Sequence, residues 1–236
     1  MAIVYSNTTD GFQSGALTAT WDAVHDHVGF GSPSRSSTTS VWAVRYARPT
    51  GRATGYYLAR AFFDFDTSGI TSTVSSATFK VKSYGNVTCT PLVILKSGHD
   101  PSSTTDDWFS TWITDQGITL SGWGPGDVTA YSVSTAVASV NNFTEFTLNG
   151  DALSDLVSLS SFKIAVLHEA DLSDTAPTSG GLNTGFYFAD YVGGGSDPNI
   201  DYTLGAAGYG NDVAGVTSIS KINGIATANI EKVNGV

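Results

Sequence analysis

The chain has 236 residues, a formal charge of -10, and 14% charged against 41% hydrophobic residues. That is enough apolar material for a packed core, which excludes an intrinsically disordered chain. The eleven basic residues gather into no patch able to neutralise phosphates, which excludes nucleic acid as a partner. With charges this scarce, the polar surface must be built from Ser, Thr, Asn and Gly, the residues of turns and half-exposed strands.

The first ten residues carry neither the basic segment nor the apolar run of a secretory signal. No stretch approaches the length of a membrane span. The expectation is a protein made and folded in a cytoplasm without an export signal. Ala2 to Tyr5 reads as a short strand ended by the turn residues Ser6 to Gly11. His25-Asp26-His27, with Asp22 close by, offers imidazoles and carboxylates to a metal, or else is a solvated loop. A polar loop, Gly29 to Ser40, separates Trp21 from Trp42. The most basic stretch, Arg45 to Arg60, holds four arginines among Tyr46, Tyr56 and Tyr57 and reads as a loop entering a strand.

Tyr56 to Phe65 is the clearest strand, with Tyr57, Ala59, Ala61, Phe63 and Phe65 on one face and Arg60, Phe62 and Asp64 on the other. Turn chemistry at Asp66 to Ile70 ends it, and Ala77 to Val81 resumes as a strand with Ala77, Phe79 and Val81 on one side. Thr90 to Lys96 is a continuous apolar run, the pattern of a strand buried on both faces. Cys89, the single cysteine, sits at its start and reads as a small packed hydrophobe.

From Ser102 to Gly126 the pattern is irregular, with one helical turn expected at Asp106 to Thr114. Trp108, Trp112 and Trp123 fall here and are the candidate glycan-binding rings, since exposed indoles stack on sugar faces; packing against the body is the alternative. Strands are expected at Thr129 to Val133, Phe143 to Leu148, Phe162 to Glu169, Gly185 to Asp190 and Ile200 to Leu204, with one helix between Asp151 and Leu159. Short strands spaced by turns indicate an all-β fold, an antiparallel, jelly-roll-like β-sandwich with a short helix.

Chemical motifs are few. No Gly-x-Ser-x-Gly elbow or His-Glu-x-x-His helix occurs, so the expectation is a non-enzyme with no catalytic residues and no required cofactor. His168, Glu169 and Asp171 end one strand, and His99 and Asp100 end another. Asp64 and Asp66 flank Phe65 on one side of their strand, where their oxygens can serve a calcium ion or cap the following turn.

After Tyr202 the character changes. Residues 1–204 are the sandwich, 205–212 a Gly/Ala-rich linker and 213–236 a repetitive tail. Val213-Ala214-Gly215-Val216, Ile222-Asn223-Gly224-Ile225 and Val233-Asn234-Gly235-Val236 share one form, and Ile219 and Ile230 open the longer copies. Asn-Gly pairs between short apolar arms favour tight hairpins. Such arms bury too little to fold alone and need a surface, a partner chain or stacking with each other, so a symmetric homo-oligomer is expected.

The run Ala59-Arg60-Ala61-Phe62-Phe63-Asp64-Phe65-Asp66-Thr67-Ser68-Gly69-Ile70, with Ser76-Ala77-Thr78-Phe79 after it, resembles the signature of DNRLRE-type β-sandwich domains, themselves similar to carbohydrate-binding modules. Phe186-Tyr187-Phe188 and Pro198-Asn199-Ile200-Asp201-Tyr202 resemble the closing strands of that family. In those domains the Asp of the Phe-Asp-Thr-Ser turn caps the turn. The tail resembles the Ile-x-Lys-Val-Asn-Gly-Val repeats at the ends of phage virion and tail structural proteins. The two resemblances imply a bacteriophage structural protein on the virion surface, a capsid decoration, head-fibre or tail-fibre component that contacts other virion proteins and itself. They imply, as the alternative, a carbohydrate-binding module or adhesin for a host glycan.

Overall fold

The structure is a computed structural model that describes residues 2–15, 17–26, 38–49, 55–99, 108–193, 195–205, 221–222 and 225–226, with backbone alone for 108–110 and for the last four. In chain order the strands and helices are β1 (Ala2–Tyr5), β2 (Gly11–Ser14), α1 (Trp21–His25), β3 (Thr39–Arg48), β4 (Tyr57–Asp66), β5 (Val74–Val87), β6 (Leu92–Lys96), α2 (Trp108–Thr114), β7 (Phe143–Thr147), α3 (Gly150–Ser158), β8 (Ser161–His168), α4 (Glu169–Leu172), β9 (Gly180–Tyr187), β10 (Asn199–Leu204), β11 (Lys221–Ile222) and β12 (Ile225–Ala226).

All pairings are antiparallel, and ten strands run in the order β1-β10-β5-β9-β3-β4-β8-β6, with β2 beside β4 and β7 beside β5. The long strand β5 is the corner. Phe79 pairs with Ile200 on one side and Phe146 on the other, while Ser83 and Val87 further along pair with β9. One strand thus belongs to both layers, and the sheet curls on itself as an all-β, sandwich-like body.

The core follows from strand alternation. Phe63 and Phe65 from β4, Phe79 from β5, Phe146 from β7, Ile164 from β8, Phe186 from β9 and Ile200 from β10 meet in the main core. Phe63 lies 5.2 Å from Phe79 and 5.7 Å from Phe188 between ring centroids. Each such ring contributes about 1.5–3 kcal/mol by leaving water. The opposite faces of β4, β6 and β8 are buried too: Phe62, Val93, Leu95, Ala165 and Leu167 form a second core beneath Trp112, Ile113, Trp123 and Val128. The apolar run at Leu92 to Leu95 is therefore buried on both faces, as its pattern predicts. The helix expected after Asn149 is α3, whose first turn is capped by Asn149 Oδ1 accepting from Ala152 N at 3.1 Å.

Several expectations are corrected. Arg45 to Arg48 belong to β3 rather than a loop, because neighbours on both sides, β4 and β9, supply the ladder partners that local pattern does not reveal. Gly11, read as a turn residue, opens β2. Thr129 to Val133 forms no regular strand; Ala130 and Thr135 bridge to Leu95 and Leu92, and between them the Ser132 hydroxyl accepts from Ile94 N at 3.1 Å, interrupting the ladder. His25, placed in a solvated loop, ends α1 and is buried.

Asp10, in the turn between β1 and β2, is 2% exposed and accepts from Ala189 N through Oδ1 at 3.2 Å and Oδ2 at 3.1 Å. Burial pushes its carboxyl up to about 8, against the opposing hydrogen bonds from Ala189 and Ser6. The folded state therefore holds a proton that the unfolded chain releases near the ordinary carboxylate value of 3.8. Its stabilising contribution is fully present below that value, falls as pH rises and is lost above the folded value. Urea midpoints measured between pH 4 and 9 are expected to decline across this window in the parent, and Asp10→Asn to remove that decline and to exceed the parent at pH 9. Parallel midpoint curves would contradict the assignment.

Candidate functional site

Arg60 sits in the middle of apolar β4 and is 0% exposed. A charge in that position needs a buried partner, and α4 supplies it: Nε and Nη2 of Arg60 donate to Oδ2 and Oδ1 of Asp171, each at 2.8 Å. The guanidinium lies 5.1 Å from the ring centroids of both Trp112 and Trp123. Arg60 Nη2 also donates to the carbonyl of His25 at 3.2 Å, and Trp123 Nε1 donates to the same oxygen at 3.3 Å.

The His25 ring is stacked between Trp123 at 4.5 Å and Trp21 at 5.3 Å. Its Nδ1 meets Asp26 Oδ1 at 2.8 Å and its Nε2 meets the Asp171 carbonyl at 3.0 Å. Asp26 Oδ2 accepts from Gly122 N at 3.0 Å, and Trp21 Nε1 donates to Asp174 Oδ1 at 2.7 Å. The cluster thus ties α1, β4, α4 and the segment from α2 to Val128 into one unit. The Arg60–Asp171 pair and the shared His25 carbonyl make it a clamp that holds the second core over the sheet, while Trp112 Nε1 is buried without a hydrogen-bond partner.

The predicted glycan rings fare accordingly. Trp112 and Trp123 are 0% and 1% exposed, their centroids 5.1 Å apart in an edge-to-face pair. Neither presents a face to a sugar, because covering the outer side of β4, β6 and β8 takes both rings; packing against the body is the role of these two. The Trp108 side chain lies outside the described residues.

Asp64 and Asp66 part ways. Asp64 is buried and accepts from Asn7 Nδ2 at 2.6 Å and Ser161 Oγ at 2.5 Å. Asp66 is exposed and accepts from Ser68 N at 3.0 Å and Ser68 Oγ at 2.6 Å, and these donors hold its carboxyl below the usual carboxylate range. Asp66 therefore caps the turn, and Asp64 ties the first turn of the chain to β8; the two do not converge as a calcium pair. Among the described residues no group of three or more His, Cys, Asp or Glu side chains is placed to hold a metal ion.

No family model and no curated protein matches this chain. His168 does not join an acid–base pair: its ring stacks on Tyr46 at 4.7 Å, Nδ1 accepts from Ala170 N at 3.1 Å, and burial lowers its proton affinity. His99 Nδ1 lies 2.7 Å from Ser97 Oγ, and its ring packs against Phe62. His27 and Asp100 lie outside the described residues. No helix among the described residues is long and apolar enough to cross a membrane.

The tail is described at four positions. Ile222 pairs with Ile225 and Lys221 with Ala226, an antiparallel pair whose strands are two residues apart in the chain, as the Asn-Gly spacing predicts. The remaining tail positions, Val213, Val216, Ile219, Ile230, Val233 and Val236, lie outside the described residues, as do the side chains of Ile222 and Ile225. Gly205, the last described residue before the tail, donates its N to the Thr73 carbonyl at 2.7 Å. Thr73 and Val74 form one wall of a groove of about 510 Å³ whose other wall is Leu153 and Val157 of α3.

The Arg60–Asp171 pair escapes sequence reasoning in one half only. An arginine between Ala59 and Ala61 in a buried strand signals a missing acid. Which of the twenty-one acids answers it is decided 111 residues away.

Proposed function

We propose that this chain is a non-enzymatic structural protein of a bacteriophage particle, a β-sandwich body displayed on the capsid or tail and joined to its neighbours through residues 213–236. The observation that carries this reading is the contrast between body and tail. Both faces of β4, β6 and β8 are covered by the body's own side chains. The tail repeats an apolar arm, Asn-Gly, apolar arm unit beyond Gly205, and a hairpin of that size is marginal unless it packs on something else. Arg60, Asp171 and His25 of the cluster are buried and engaged with one another, which supports a structural rather than a catalytic use.

Truncation after Gly205 is the direct test of the assembly half. The shortened chain is expected to keep the thermal midpoint of the body and to run as a monomer in light scattering, while the full chain forms a symmetric oligomer. Equal masses for the two would refute assembly through the tail. The particle half is tested by labelling and imaging purified virions with an antibody to the body; absence from the particles would end it.

A further inference from the structure

The groove beside α3 opens where the chain leaves β10. Gly205, directly after that strand, donates its N to the Thr73 carbonyl at 2.7 Å, and Thr73 is part of the groove wall. β7 leaves β5 at Thr78, where Leu148 N donates to the Ala77 carbonyl at 3.0 Å, and α3 follows beside the start of β5. Between Val74 on one side and Leu153, Ser154 and Val157 on the other the opening measures about 510 Å³, room for a few side chains.

The groove is apolar because α3 has more apolar surface than the core takes up. Ala152 and Leu156 are buried in the main core. Leu153 and Val157, one helical turn apart, are only half-buried: they pack on that core with one side and line the groove with the other. No charged side chain is among its lining residues.

The sequence beyond Gly205 suits this opening in composition and in length. Val213-Ala214-Gly215-Val216, the first copy of the tail repeat, differs from the other two: it has Ala-Gly where they have Asn-Gly, and no Ile-x-Lys precedes it. The hairpin signal lies in Asn-Gly, around which Ile222 pairs with Ile225, so the first copy is an uncharged apolar arm without that signal. Seven residues, 206–212, separate it from Gly205. A flexible Gly/Ala-rich tether of that length spans roughly 15 Å root-mean-square. The helix wall from Gly150 to Val157 is roughly 10 Å long at the α-helical rise. A tether matched to its span holds its end there at millimolar effective concentration, which the tail of a neighbouring copy at micromolar concentration does not reach.

We propose that the groove between Val74 and α3 is the seat of the chain's own first tail repeat, with Val213 and Val216 against Leu153 and Val157. The occupant is apolar because the walls are, and it comes from the same chain because the tether starts at the rim. Ordering the arm offsets most of what two buried valines contribute, so the tether keeps the site filled while the thermal midpoint of the body hardly moves. The docking uses none of residues 219–236 and stands whether or not they assemble the chain.

Disulfide trapping in the full chain at micromolar concentration reads the contact directly, with the native Cys89 buried. Ser154→Cys with Val213→Cys puts one thiol on the groove wall and one on the arm without touching the core, since Ser154 is exposed. In a glutathione redox buffer the pair is expected to close within one chain, giving a product of monomer mass before reduction. Adding Val216→Asp, which leaves tether and body unaltered, is expected to slow closure by about ten-fold or more, the factor that burial of one valine represents. Ser158→Trp, which fills the groove from an exposed position, is expected to slow closure likewise while the midpoint of the body is kept. A product of dimer mass would put a neighbour's tail in the groove, and an unchanged rate with Val216→Asp would reduce closure to random collisions of the tether. Either result, or no closure at all, overturns the proposal.

Discussion

Asp171→Ala is expected to be among the most damaging single substitutions in the body, costing about 3–5 kcal/mol because it leaves the Arg60 charge buried and uncompensated. At about 2–4 °C per kcal/mol for a domain of this size, the thermal midpoint falls by roughly 6–20 °C. The geometry behind the number is the bidentate contact at 2.8 Å in a place where Arg60 is 0% exposed and its guanidinium lies 5.1 Å from the centroids of two indoles. The cost belongs to the orphaned charge more than to the pair. Replacing both partners together, Arg60→Met with Asp171→Leu, is accordingly expected to cost much less than Asp171→Ala alone, since burying matched apolar groups avoids desolvating two ions. Urea unfolding of the two variants decides the matter: a double variant as unstable as the single one would show that the pair itself, rather than the stranded charge, holds the clamp.

Trp123→Ala is the second large effect, about 3–5 kcal/mol for a fully buried large aromatic whose space cannot collapse. Trp123 covers Arg60, stacks on His25 at 4.5 Å and leans edge-on against Trp112 at 5.1 Å. Its loss should remove near-ultraviolet circular dichroism from the aromatic cluster and expose the segment from α2 to Val128 to proteolysis before the rest of the body unfolds. Because Trp123 and Asp171 act on the same guanidinium, the two substitutions should be non-additive, with an interaction energy in the range of about 0.5–3 kcal/mol. A Trp123→Ala protein within 1 kcal/mol of the parent would mean that the ring is not part of the core.

Loss of Trp123 is expected to act on stability, whereas Trp42, 52% exposed, is expected to contribute little to it. Three closely spaced tryptophans attract attention in the sequence between Ser102 and Gly126, yet two of them are walls of the second core. Among the described side chains the exposed indole is Trp42, in a stretch whose local pattern offers only a polar loop before it and arginines after it.

Local pattern was enough wherever a strand's own side chains decide its burial. Phe63 and Phe65, the Leu92 to Leu95 run, and Ala77, Phe79 and Val81 carry their alternation or continuity in adjacent residues. It failed at β3, where Arg45 and Arg48 interrupt the pattern and the bulge at Ser40 to Val44 breaks the period of two. It failed again at α1, a five-residue helix too short to hold itself together, which exists because Trp21, Val24 and His25 are buried against other parts of the chain.

From the amino-acid order alone come the all-β class, the main strands, the helix after Asn149 and the repeats in the tail, since each depends on residues within about one strand or turn of one another. Tertiary structure alone decided that Arg60 finds Asp171, that Trp112 and Trp123 face inward, that Asp64 and Asp66 serve different neighbours, and that the Arg45 guanidinium meets the Tyr57 ring. Those outcomes depend on which strand lies beside which, and register across a curled sheet is a property of the whole chain that no short window of it contains.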